Sequence, residues 1–330
     1  MSNRRHSALA LVRNYGIVVV FAALFIALSV ASSTFLSSQN LLNLLAQNAP
    51  IGIMACGGTL VIIAGGFDLS VGAIYGLAGV IAAKLASSGD PILALVVGVL
   101  AGLLLGLVNG SLVSLFSINS FIATLATGYV FRGIATIVTS GFLVGVTDPS
   151  FGELGKAELF DVKVSVFIFA AVAFLTGLFL TRTRYGRYVF AAGGNAEAAR
   201  LSGVRVELVR TLTFTFSGAC AGLAGIIAAS RVSSGQADAG VGLELAVIAA
   251  IVIGGTSILG GEGAIWRSIL GVMLIAMIGN GFNLLNIDPF YEPIVQGAII
   301  LIAVVADSRT EGPITRTIQR WRQQRALPAP

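Results

Sequence analysis

Histidine occurs once in this chain, at His6, and cysteine twice, at Cys56 and Cys220. A single histidine in a basic N-terminal segment excludes histidine-based catalysis and metal binding. The two cysteines lie inside apolar runs, where a thiol serves as a small core residue. They supply neither a disulfide framework nor a metal site. Charge is scarce too: 11% of residues are Asp, Glu, Lys or Arg, against about 25% in soluble domains. No G-x-x-x-x-G-K-[ST] phosphate loop occurs, because Gly155-Lys156-Ala157 lacks the upstream glycine and the hydroxyl residue. No G-x-S-x-G elbow occurs either. The chain therefore carries no catalytic residues and binds no cofactor of its own. It also lacks the aromatic and basic stripe of single-strand binders, which argues against nucleic acid.

What the chain has is apolar length. Of 330 residues, 56% are hydrophobic, and the mean hydropathy is +0.94. Water cannot be the solvent of such a surface, so lipid is. A crossing needs roughly 20 apolar residues. Spans are expected near 15–32, 41–64, 70–88, 91–115, 119–140, 164–181, 209–230, 243–259, 265–285 and 291–306. The predicted fold class is an all-α polytopic membrane protein of about ten transmembrane helices, with 1–330 as one transmembrane domain.

The basic residues gather in three places: the N-terminal segment 1–14, the loop 182–208 and the tail 307–330. Ten spans put all three on one side, the cytoplasmic one by the positive-inside rule. Both termini are then cytoplasmic. Arg4, Arg5 and Arg13 before the run Gly16 to Val30 also resemble a signal peptide. The charge balance favours an uncleaved first helix. The loop Gly141 to Lys163 falls outside and is mildly acidic, as a solvated loop or a docking surface for an extracytoplasmic partner.

The central basic loop is too particular to be a plain connector. Gly193-Gly194-Asn195 reads as a turn, and Ala196 to Leu201 as a short helix. Such a helix suits a soluble partner on the cytoplasmic face.

Gly98, Gly102, Gly106 and Gly110 recur every four residues and line one helix face, which allows close helix packing. Gly218 with Gly222, and Gly72 with Gly76, repeat the pattern. Pro50 is expected to kink the second span. The stretch Gly65 to Ile74 is weakly echoed by Gly254 to Ile265, and paired glycine breaks often mark a transport path.

Ionisable residues within the spans are few. Asp68 either caps the third helix or lines a path, and Glu244 and Arg132 lie nearer span ends. Neutral polar residues are better supplied. Asn48, Asp68, Asn119, Thr124, Asn280 and Asn283 form the candidate translocation path, suited to a neutral polyhydroxyl solute. The same residues can equally serve as interhelical hydrogen-bond partners.

Several stretches together resemble a known family. They are Gly65-Gly66-Phe67-Asp68-Leu69-Ser70-Val71-Gly72, Asn119 to Thr127, Tyr185-Gly186-Arg187 through Gly193-Gly194-Asn195-Ala196-Glu197-Ala198-Ala199-Arg200-Leu201-Ser202-Gly203, Glu244 to Ala250, Gly254-Gly255-Thr256-Ser257, Gly260 to Gly263 and Asn280 to Leu285. The chain is similar to the permease subunit of bacterial ABC importers for monosaccharides, of the ribose-permease type. Asn119 and Phe67 stand where relatives often have proline and isoleucine. The resemblance implies the ABC importer permease fold in the bacterial inner membrane. It implies a homodimer, or a pair with a related permease, around a central path. It implies a separate ATPase on the cytoplasmic face, which uses ATP and Mg2+, and a sugar-binding protein outside. It implies that the loop contacts the ATPase, with Gly186, Gly194, Asn195, Glu197, Ala198, Ala199 and Gly203 as coupling residues. The rival reading is an ion-coupled secondary transporter or channel for small polar solutes.

Overall fold

In the computed structural model, residues 2–87, 89–299 and 301 are described, with side chains from residue 16 onward except at residue 289. The expected tail 307–330, and residues 300 and 302–306 of the expected span 291–306, lie outside the described residues. The helices are α1 (Ser2–Ala31), α2 (Ser38–Ile63), α3 (Val71–Ala86), α4 (Pro91–Ser114), α5 (Ser120–Thr139), α6 (Pro149–Lys156), α7 (Val164–Arg182), α8 (Arg184–Gly194), α9 (Ala196–Leu201), α10 (Val206–Val232), α11 (Leu243–Ile253) and α12 (Ile265–Leu284). Four two-residue strands accompany them: β1 (Val144–Gly145), β2 (Glu158–Leu159), β3 (Val162–Lys163) and β4 (Ser234–Gly235). β1 pairs antiparallel with β4, and β2 with β3.

Among the described residues, six helices are long and apolar enough to cross a membrane: α2, α4, α5, α7, α10 and α12. Three expected spans are shorter. The apolar part of α1 is Gly16–Ala31, and α3 and α11 have 16 and 11 residues. The expected span 243–259 is therefore corrected to a short helix followed by a glycine-rich turn. Glycine explains why: Gly254 ends α11, and Gly255, Gly260 and Gly261 all adopt positive φ.

The bundle has two ends. One carries α8 and α9 and is called the loop end. The other carries α6 and the strands and is called the hairpin end. α10 runs between them at the centre. At the hairpin end the Ser230 hydroxyl donates to Phe151 O at 2.6 Å and accepts from Gly155 N at 2.8 Å.

α10 packs against α4 through the predicted glycine stripe. A Cβ at Gly102 would lie 2.5 Å from Gly218 O and 2.8 Å from Gly222 Cα. A Cβ at Gly106 would run into Phe214 O and sit 2.9 Å from Gly218 Cα. Two backbones approach this closely only because neither carries a side chain at the contact. Fifteen residues of α2 are buried, Pro50 among them, and α2 forms the core with α10, α11 and α12.

Candidate functional site

The loop end is built from three glycine-rich turns that touch. Asn195 divides the basic loop into α8 and α9, and its Oδ1 accepts from Ala198 N at 3.0 Å. Thr183 caps α8 by accepting from Gly186 N at 3.0 Å. Near the other end of α8, just before Asn195, Gly193 packs on the end of α2: a Cβ there would collide with Ile63 O and lie 2.8 Å from Gly261 N. Gly261 N donates to the same Ile63 O at 2.9 Å. Gly260 lies against Gly65, where a Cβ would be 3.0 Å from Gly65 Cα. The two segments that echo each other in sequence therefore meet in space, through Gly65 and Gly260 and not through Gly254. Gly254 instead lies against Arg267 O and Ser268 Cα on α12.

Arg210 ties this junction together. Its Nε donates to Ala64 O at 3.2 Å and its Nη2 to Ala192 O at 3.5 Å. Arg200 on α9 pairs with Glu207 at 2.7 Å and Glu197 at 3.3 Å, which fastens α9 to the start of α10. The hydrogen bond that Arg200 donates to the Glu207 carboxylate holds its guanidinium above its ordinary pKa. The outward face of α9 stays open: Leu201 is 83% exposed. Ala198, Glu197, Gly194, Asn195 and Gly203 are exposed as well, whereas Ala199 and Gly186 are buried.

From Gly66 the chain does not leave the bundle. Residues 66–70 climb along the first two turns of α5. Phe67 N donates to Ser120 Oγ at 3.0 Å, and Leu69 N to Thr124 Oγ1 at 3.0 Å. A Cβ at Gly128, two turns into α5, would lie 3.6 Å from Ser70 Cα. α3 thus begins inside the bundle, about 12 Å above Ser120 at 1.5 Å per residue. Non-helical backbone at that depth requires partners inside the protein, and the α5 hydroxyls supply them.

Asp68 sits in this climbing segment and is buried. Its Oδ1 accepts from Ser70 N at 3.1 Å and Ser70 Oγ at 2.6 Å, and its Oδ2 from Ser217 Oγ at 2.9 Å. Asn109 Nδ2 donates to Ser70 Oγ at 2.6 Å.

The six path candidates do not form one cluster. Asp68 and Thr124 share the 66–70 segment. Asn119 caps α5 by accepting from Phe121 N at 3.0 Å, and it lines a loop-end cavity of about 350 Å³ beside Arg200, Glu207 and Arg210. Asn280 pairs reciprocally with Asn40, at 2.8 and 3.1 Å, and so joins α12 to α2. Asn48 donates to Leu44 O at 2.8 Å within α2, and Asn283 is exposed near the end of α12. Sequence reasoning missed Arg210, Ser217 and Asn40. Arg210 was visible as the one basic residue of the loop that continues into an apolar helix, whereas the serine and the asparagine carried no signal.

Residues 40–304 match the family described as "Branched-chain amino acid transport system / permease component". The L-arabinose transport system permease protein AraH of Escherichia coli (strain K12) is 40% identical over 297 residues, 89% of this chain and 90% of that protein. The ribose import permease protein RbsC of the same strain is 37% identical over 316 residues, 94% and 98%. Its D-allose transport system permease protein AlsC is 36% identical over 293 residues, 88% and 89%. No solved structure matches. The multi-pass helical bundle, the glycine-joined loop and these likenesses place the chain: it belongs to this family of transport-system permease components, in the branch of ribose-type sugar importer permeases.

Proposed function

We propose that two copies of this chain, or one copy and a related permease, form the membrane channel of a binding-protein-dependent importer for a pentose, a hexose or a related polyol. A separate ATPase docks on α9 from the cytoplasm and supplies the ATP and Mg2+ chemistry. A sugar-binding protein docks on the hairpin end from outside. The relatives named for arabinose, ribose and allose support the sugar class.

The junction beneath α8 and α9 carries this reading. Gly193 lies on α2 and against Gly261, and Arg210 binds the ends of α2 and α8 at once. A push on α9 therefore reaches α2, the 66–70 segment and the 255–263 turn without a flexible linker. A helix that only anchored a partner would not need such wiring.

Reconstitution into vesicles tests it. The chain alone should hydrolyse no ATP. Hydrolysis should require the ATPase subunit and rise with loaded binding protein, together with sugar uptake. Uptake that persists without the ATPase, driven by an ion gradient or by counterflow, would replace this reading with a secondary carrier.

A further inference from the structure

A second break in the bundle lies on the opposite side of α3 from Asp68. After α10 and β4 the chain turns back into the bundle instead of staying at the hairpin end. Gly235 lies against α3 near Val80 and Ala83, Ala237 lies beside Gly76, and Gly240 lies on Gly72. Ser87, just past the other end of α3, bonds Gly145 O at the hairpin end at 3.2 Å. Ser87 stands fifteen positions after Gly72, about 22 Å of helix at 1.5 Å per residue. Residues 236–242 therefore descend deep into the bundle, and α11 starts there.

This descending stretch is irregular and open. Gln236, Asp238 and Ala239 are exposed, and so are Val241 and Gly242. Among the described residues no partner meets the backbone N–H of Ala237 or Asp238. Glu244 reaches back to Gly72, and its Oε2 is buried without a hydrogen-bond partner among the described residues. Lipid cannot solvate an irregular backbone or an aspartate at this depth. The open side of 236–244 therefore calls for water or protein in place of lipid.

We infer that residues 236–244 form the wall of the solute passage, with Asp238 and Glu244 as the carboxylates that accept hydrogen bonds from sugar hydroxyls. A neutral polyol needs acceptors and no counter-ion, and two carboxylates beside exposed backbone N–H groups offer both acceptors and donors. The recognition role rests on the importer function proposed above. The water-filled geometry does not.

The experiment uses the whole importer in vesicles, with ATPase and binding protein. Ala239→Cys is exposed to a membrane-impermeant maleimide, with and without ATP. Cys56 and Cys220 are buried and give little background. Leu104→Cys, on an exposed apolar face of α4, is the lipid-facing control, and Ser150→Cys is the aqueous control. Ala239→Cys should label at least ten-fold faster than Leu104→Cys in one of the two nucleotide states. Asp238→Asn and Glu244→Gln should each lower sugar uptake ten-fold or more, while loaded binding protein still stimulates ATP hydrolysis. Labelling no faster than Leu104→Cys in both states, with Ser150→Cys reactive, overturns the passage. Wild-type uptake by both carboxamide variants overturns the recognition role. If the unmodified importer moves no sugar, the proposed function fails, and the labelling still decides the passage.

Discussion

The Arg210 guanidinium donates from Nε to the Ala64 carbonyl oxygen at 3.2 Å. Ala64 is the first residue past α2, so this is a cation on the carbonyl end of a helix. The last carbonyls of a helix have no partner within it, and the helix dipole favours positive charge there. The same guanidinium reaches Ala192 O near the end of α8. One side chain on α10 thus satisfies two helix ends, one in the core and one in the loop. Lysine, with a single ammonium, cannot span both in the planar manner of a guanidinium.

Arg210→Ala and Arg210→Lys should therefore uncouple the importer. Sugar uptake is expected to fall ten-fold or more, while the ATPase subunit still co-purifies with the permease because α9 is intact. Arg210→Lys should recover only a part of the uptake. Full uptake by the alanine variant would show that the junction does not transmit force.

The two faces of α4 and α5 give a contrasting pair of substitutions. Gly106→Leu inserts a side chain where Phe214 O and Gly218 already sit, and overpacking of this kind costs about 1–3 kcal/mol. Gly133 has nothing within 4 Å of an added Cβ. Gly133→Ala should be neutral or gain up to about 1 kcal/mol from helix propensity. Thermal unfolding of the detergent-solubilised protein should separate the two clearly. Equal melting temperatures would mean that the α4–α10 contact is looser than its glycines imply.

Much of this was legible in the residues. The spacing of Gly98, Gly102, Gly106 and Gly110 announced a close helix contact, and Gly193-Gly194-Asn195 announced the turn before α9. The partner of a glycine stripe is another matter, because one-dimensional spacing does not say which helix fills the groove. The depth of the breaks at 66–70 and 236–242 was also hidden. Both breaks fall between expected spans, 41–64 and 70–88 for the first and 209–230 and 243–259 for the second, and hydropathy places a break along the chain without giving its depth in the bundle. The polar residues are ambiguous for a related reason. An asparagine that caps α5 and one that joins α12 to α2 look in sequence like residues that touch a solute.

The sidedness proposed for the chain rests on the three basic regions and is open to direct test. Ser150 lies at the hairpin end and Ser202 at the loop end, just past α9. Single cysteines at these positions should react with an impermeant reagent from opposite sides of the membrane: Ser150→Cys in intact cells, Ser202→Cys only in inverted vesicles. Reaction of both from outside would overturn the topology.

Asp68 offers the sharpest separation of charge from hydrogen bonding. Its carboxylate is buried, and hydroxyl and amide donors meet it in place of a cation. Asparagine keeps Oδ1 for Ser70 N and Ser70 Oγ, and its amide can donate to Ser217 Oγ once that hydroxyl rotates to accept. The network then survives without the charge. Leucine leaves the Ser70 amide and two hydroxyls buried without an acceptor. Each such orphan costs about 1–3 kcal/mol, a large share of the stability of any domain. Asp68→Asn should therefore keep most sugar uptake and a near wild-type melting temperature. Asp68→Leu should lose most of both, and Ser217→Ala should fall between them in stability. Should Asp68→Asn fold normally yet abolish uptake, the charge itself takes part in the transport cycle. Equal uptake by all three variants would show that the network fastening the start of α3 to α10 is dispensable.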